Sequence, residues 1–164
     1  MAAFETKQYR NLFSLIGKED QEINNRLNEI FETFFYGSEE ERIYHPAGED
    51  MGYLEDTGNH DARTEGMSYG MMICVQMDKK AEFDRLWKWV RTYMYIPAGP
   101  CRNYFAWSCS TDGTHNAEGP APDGEEYFAM ALFFASARWG DGEGIFAYSK
   151  EAKAILRECI HKGE

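Results

Sequence analysis

D-T-G-N-H-D-A-R-T-E-G-M-S-Y-G-M-M-I-C-V-Q-M, residues Asp56 to Met77, begins as a polar loop and becomes an apolar helix. The change falls at Thr64-Glu65-Gly66. Thr64 suits the N-cap, because its hydroxyl can accept from the free amides of the next turn. Glu65 then takes the first helical position. Met67, Tyr69, Met71, Met72, Ile73, Cys74 and Val75 follow, so the helix is apolar or small nearly all round. A helix without a polar face is a buried helix. One carboxylate is thus expected at the mouth of a buried helix, just after a polar loop. From the residues alone two readings of Glu65 stay open. It complements the helix dipole, as first-turn acids commonly do, or it belongs to a site.

A second stretch repeats the design. P-A-P-D-G-E-E-Y-F-A-M-A-L-F-F-A-S-A covers residues 120–137. Asp123 is read as a cap, Glu125 and Glu126 as first-turn acids, and Tyr127 to Ala137 as apolar all round, with an end near Gly140. The remaining helices are amphipathic. A short one is expected over residues 7–16, with Tyr9, Leu12, Phe13 and Ile16 on one side. The next, over 18–35, carries Ile23, Leu27, Ile30, Phe31, Phe34 and Phe35 on one face. A third, over 79–95, carries Phe83, Leu86, Trp87, Val90 and Met94. Ser149 is read as the cap of a last helix with Ala152, Ile155, Leu156, Cys159 and Ile160 inward.

The order is outer, buried, outer, buried, outer, and a long loop precedes each buried helix. Short extended pieces are expected in the first loop, near Ile43-Tyr44 and Tyr53-Leu54. The second loop, 97–122, carries Trp107. Such alternation suits an all-α array of helical hairpins with an inner and an outer ring. If both buried helices run the same way, Glu65 and Asp123 share one rim. Two convergent carboxylates in a cleft are a functional pattern.

The chain has 164 residues, enough for one domain with a real core. A formal net charge of -11 argues against nucleic acid and anionic membranes, which need basic patches. The first residues hold no apolar signal region, and no stretch approaches the length of a membrane span. A cytoplasmic protein with reduced thiols at Cys74, Cys101, Cys109 and Cys159 is the simplest expectation.

R-T-E-G-M-S-Y-G-M-M resembles the acid-bearing motif of glycoside hydrolase family 8. The longer run G-N-H-D-A-R-T-E-G-M-S-Y-G-M-M-I-C-V-Q-M-D-K-K, with A-P-D-G-E-E-Y-F-A-M-A-L-F-F-A-S, is similar to one branch of it, the reducing-end xylose-releasing exo-oligoxylanases. The likeness runs across nearly the whole chain. It implies an (α/α)6 barrel that hydrolyses β-1,4-linked xylo-oligosaccharides with inversion and releases xylose from the reducing end. It implies Glu65 as general acid and Asp123 as the acid that binds and helps distort the sugar. It implies Trp107 as a stacking residue, with Tyr69 and Tyr127 also binding substrate. It implies no metal and no cofactor.

An inverting glycosidase needs an acid and a base roughly 6.5–9.5 Å apart, with room for water between them. A helix N-terminus favours the anion of Glu65, so burial or a nearby carboxylate must oppose it. Glu65 is therefore expected to be partly buried and near another acid. A closed barrel needs more than twice this chain, and about five or six helices fit here. Residues 1–164 are thus read as the N-terminal part of one catalytic domain, with the family's general base outside it. An open half-barrel exposes apolar edges, so it is expected to pair with the missing half or with a second copy.

The other candidates are weaker. His45 and His60-Asp61 fit no common metal spacing. Tyr44, Tyr53 and Tyr104 are either sugar platforms or barrel-mouth packing. Trp87 and Trp89 are read as packing. The rival functions are a non-catalytic carbohydrate-binding fragment and an all-helical interaction protein.

Overall fold

The computed structural model describes Thr6 and residues 9–162. The chain forms two compact units, residues 1–42 and residues 43–164. In the first, Leu12–Ile16 makes a single 3-10 turn. The expected helix over 7–16 starts at residues outside the described ones, and beyond them only this turn forms. Asn11 Oδ1 accepts from the Phe13 amide at 3.1 Å, and Gly17, at φ 80°, ends the turn. Such local side-chain bonds compete with longer helix. Tyr9, Leu12, Phe13 and Ile16 are all exposed, against the packed side read from the sequence. Helix α1, Asp20–Tyr36, forms where expected, but of the apolar face read from the sequence only Phe31 and Phe35 are buried, their rings 4.1 Å apart, whereas Leu27 and Phe34 are exposed.

The second unit is mostly helical, as expected, and also holds two short antiparallel ribbons. Tyr44–Ala47 (β1) pairs with Met51–Leu54 (β2), Tyr44 opposite Leu54. Asp61–Arg63 (β3) pairs with Ser108–Ser110 (β4), Arg63 opposite Ser108. The first ribbon contains the extended pieces read near Tyr44 and Tyr53. The second was invisible, because three residues are too few to show alternation.

Helix α2, Thr64–Gln76, leads straight off β3. Helix α3, Lys80–Trp89, continues into one π turn, Val90–Met94. Phe83, Leu86, Trp87, Val90 and Met94 are completely buried, as their spacing required. Helix α4, Pro122–Trp139, and helix α5, Tyr148–His161, form a hairpin. Trp87 Nε1 donates to Ile145 O at 2.7 Å and ties α3 to its bend. Tyr148, wholly buried, meets the Phe83 ring edge-on at 5.6 Å.

Helices α2 and α4 lie side by side and parallel. At one end Thr64 meets Gly124, and one turn in, the Tyr69 and Tyr127 ring centroids are 5.1 Å apart. At the other end Val75 and Gln76 line one crevice with Phe134 and Ala137. A Cβ on Gly124 would sit 2.5 Å from Thr64 Cβ and Oγ1. Only glycine permits this approach. Gly70 plays the same part toward Leu54 and Leu86.

All three capping assignments change. Thr64 is the first helical residue, Arg63 is the cap, and the Thr64 hydroxyl is buried against α4 with no hydrogen-bond partner. Asp123 follows Pro122 inside the helix, because proline is favoured in the first turn. Ser149 is likewise helical. Its amide and hydroxyl donate to the Asp141 carboxylate at 2.8 and 2.6 Å, so Asp141 caps α5 from outside.

Neither α2 nor α4 is buried all round. Glu65, Tyr69, Ile73 and Gln76 form one exposed stripe on α2, at helical spacing. Asp123, Tyr127, Met130, Phe134 and Ala137 form the matching stripe on α4. Each begins with an acid and continues with apolar side chains, apart from Gln76 at the end of the first.

Two stability outcomes follow. Gly124→Ala is expected to destabilise the chain by about 1–3 kcal/mol in urea unfolding, as overpacking does. Gly66→Ala, where a Cβ meets nothing within 4 Å, is expected to stabilise it by up to about 1 kcal/mol. Secondly, the Ser149 bonds hold the Asp141 carboxyl below the usual range. Its contribution is present above the unfolded value, about 3.9, and is lost as pH falls through the lowered folded value. Asp141→Asn is expected to lower the thermal midpoint at neutral pH and to shrink that acid-side loss.

Candidate active site

The rim is built from two helix starts and the loop strung between them. Strand β3 delivers the chain to Glu65, and Trp107 immediately precedes β4. The Arg63–Ser108 pairing therefore brings Trp107 beside the start of α2. The Thr64 amide donates to Trp107 O at 3.0 Å, and the Trp107 amide donates to Gly119 O at 3.0 Å. The indole stays 40% exposed, with the Arg63 guanidinium 5.4 Å from its ring centre. A cation over an indole face fixes the ring at little cost in mobility.

Arg63 is itself held. Its Nε donates to Asp61 Oδ1 at 2.9 Å and lies 3.8 Å from Asp56 Oδ2. Bonding to Asp61, with the charges of Asp56 and Glu65, raises its pKa. Asp61 Oδ2 accepts from the Ser108 hydroxyl at 2.7 Å, which in turn accepts from Asn116 Nδ2 at 3.1 Å. Asp56 accepts from Asn59 Nδ2 at 2.9 Å and from the Asn59 and Gly58 amides, and these bonds keep it below the usual carboxylate range. The polar loop read before α2 is thus a carboxylate-and-arginine frame behind Trp107.

The five residues singled out from the sequence gather on this face. Glu65 and Asp123 sit at the starts of α2 and α4, Tyr69 and Tyr127 one turn below them in ring contact, and Trp107 in the loop anchored to both. All five are exposed. For Glu65 this corrects the expectation of partial burial. Its neighbours on the stripe face solvent, and within the described residues nothing covers the carboxylate. The electrostatic neighbour it has is the Arg63 cation and not the second acid that was expected.

Other candidates resolve differently. Tyr44 is buried, and Tyr53 packs on His45 and Trp89. Tyr104 lies under Lys162 Nζ, 4.2 Å from the ring centre. These are packing residues. His45 Nε2 and His60 Nδ1 share Glu55, at 3.0 and 2.7 Å. Trp87 and Trp89 are completely buried. Cys101 and Cys109 carry free thiols, and burial pushes Cys109 up to about 12.

Two residues of the rim escaped the sequence reading. Arg63 passed as ordinary loop. Glu125 passed as a first-turn acid, yet it is completely buried, its Oε1 accepting from the Phe105 amide at 3.0 Å. Burial pushes its carboxyl up to about 7, against the Phe105 bond and its own amide and with the help of Asp123. Spacing could have found it. Glu125, Phe128, Ala129 and Leu132 share one helix face, and all four are buried.

The chain is 56% identical to a reducing-end xylose-releasing exo-oligoxylanase of Paenibacillus barcinonensis over 99% of its own length and 43% of the relative's. It is also 56% identical to the enzyme of that name from Halalkalibacterium halodurans, over 99% of this chain and 42% of the relative. The solved structure of the Paenibacillus barcinonensis enzyme complexed with xylose superposes with a TM-score of 0.96 at 55% identity, covering 99% of this chain and 43% of that one. The chain therefore spans less than half the length of the curated relatives it matches. Residues 10–162 match the family described as glycosyl hydrolases family 8, and the chain belongs to that family.

Proposed function

We propose that this chain supplies the general acid and one wall of the sugar trough of a cytoplasmic glycosidase. That enzyme hydrolyses β-1,4-linked xylo-oligosaccharides with inversion and releases xylose from the reducing end. The observation that carries the reading is the parallel pairing of α2 and α4, which sets Glu65 and Asp123 at one end with Trp107 between their loops. The high identity to exo-oligoxylanases over the full chain, and the xylose complex of one of them, support the substrate class.

In this reading Trp107 is a flat platform for a xylose ring, and Tyr69 and Tyr127 form the floor. Asp123 accepts from sugar hydroxyls and favours the distorted ring of the transition state. Glu65 gives its proton to the leaving glycosidic oxygen. The base that activates water on the other face of the sugar lies outside this chain, at the wider spacing inversion requires. The helices of the second unit are then the first hairpins of an (α/α)6 barrel. The apolar stripes below the rim, Ile73, Met130 and Phe134 among them, are the surface that the rest of the barrel, or a second copy, covers. That cover also desolvates Glu65, which is open here.

The exposure of Glu65 favours a second reading for the chain by itself, a carbohydrate-binding fragment without turnover. Both are tested with xylotriose, given to the chain alone and to the chain combined with the segment that completes its relatives. No hydrolysis is expected from the chain alone, and xylose release from the combination. In the combination Glu65→Gln is expected to lower kcat by about 10²–10⁴-fold, and Trp107→Ala to raise KM. Full activity from the short chain alone would refute a base outside it. Sugar binding without turnover in the combination would leave the fragment reading.

A further inference from the structure

Three consecutive amides hold the segment that presents Trp107. The Ala106 amide donates to Met94 O at 2.7 Å and the Trp107 amide to Gly119 O at 3.0 Å, both backbone partners. The Phe105 amide donates instead to a side chain, Glu125 Oε1, at 3.0 Å. The Phe105 ring is buried against Phe128 at 5.3 Å and Tyr95 at 5.8 Å, so the bond lies in a dry interior. Glu125 Oε2 is buried with no hydrogen-bond partner. Two residues before Glu125 is Asp123, and two residues after Phe105 is Trp107. One buried carboxyl thus joins the loop of the platform to the first turn of α4, where Asp123 stands.

We propose that Glu125 is a positioning residue of the sugar site, which through the Phe105 amide sets the place of Trp107 relative to Asp123 and Glu65. The proposal rests on the reading of the rim as a xylo-oligosaccharide site. Glu125 touches no substrate and acts only through Trp107 and the α4 turn. The neutral carboxyl suits this work. As an anion, Oε2 would be a buried charge without a partner, a form that interiors disfavour strongly. The groups facing it are Asp123 on its own helix, the Tyr104 phenol on the loop and the Cys159 thiol on α5. None is a cation that would steady the ionised form. A folded value near 7 lies above the unfolded carboxylate value, about 4.3. The stability that comes from burying this carboxyl as the neutral acid is therefore present below the unfolded value and is lost as pH rises through about 7, although the Phe105 amide by itself favours the anion.

The test uses NMR of the 164-residue chain from about pH 5 to 9, following the Phe105 amide and the Trp107 indole. In the unaltered chain the Phe105 amide shift is expected to titrate with a midpoint near 7, and the Trp107–Arg63 contact to weaken through it. Glu125→Gln, neutral at every pH, is expected to keep the contact and lose the midpoint. Glu125→Ala is expected to speed Phe105 amide exchange by at least about tenfold while the buried Trp87 indole is unmoved. A Glu125→Gln chain that titrates like the unaltered one, or a folded Glu125→Ala chain with unchanged Phe105 exchange, overturns the proposal. If Glu125→Ala does not fold, the Glu125→Gln titration alone decides. A xylotriose titration of the Trp107 indole at about pH 6 separates the two claims. Silence in the chain combined with the segment that completes its relatives defeats the sugar-site reading, whereas the amide results in the chain alone still decide whether Glu125 holds the platform.

Discussion

The contact between Thr64 and Gly124 governs the rest of the second unit. Two helix starts can approach this closely only where one lacks a side chain, and Gly124 supplies the gap. The contact is paid for in polar terms, because the Thr64 hydroxyl is left buried and unpartnered. It brings together two positive helix ends, and each carries a carboxylate that the helix dipole favours. The parallel course of α2 and α4, the Tyr69–Tyr127 contact and the common end for Glu65 and Asp123 all follow from it. The β3–β4 ribbon adds the third element by pinning Trp107 to the same end.

The exposed stripes carry a second consequence. An inner helix wholly sheathed by its own chain would have no exposed Phe134 or Ile73, and both stripes here meet solvent at regular spacing. The acids head those stripes, so the exposed apolar surface of the two helices runs up to the acids at their starts. This explains why Glu65 lies open although its helix is otherwise packed. It also places the fine adjustment of the rim in the layer behind it, where Arg63 with its aspartates, and Glu125, are already held.

Much of this was legible in the sequence. Periodicity located α1, α3 and α5, because helices of ten residues or more repeat their apolar face several times, whereas α2 and α4 were read from unbroken apolar runs that hid their exposed stripes. It missed the β3–β4 ribbon, since three residues do not establish a period, and that ribbon is what ties Trp107 to Glu65. Capping was misread at Thr64, Asp123 and Ser149 for related reasons. The first two residues sit one or two positions inside their helices, and the third is served by Asp141, eight residues away. The pairing of the two acids rested on an assumed common direction, and the ring contact of Tyr69 and Tyr127 supplies that direction. Glu125 was hidden by a sound general rule, that acids belong in first turns. Its phase with Phe128 and Leu132 carried the information that the rule obscured.

The shared rim is tested most directly by nuclear Overhauser contacts in the chain. Cross-peaks between the ring protons of Tyr69 and Tyr127, together with cross-peaks between the Thr64 methyl and the Gly124 α protons, are the result this account requires. A folded chain in which those pairs show no contact, with α2 and α4 running in opposite directions, would contradict it.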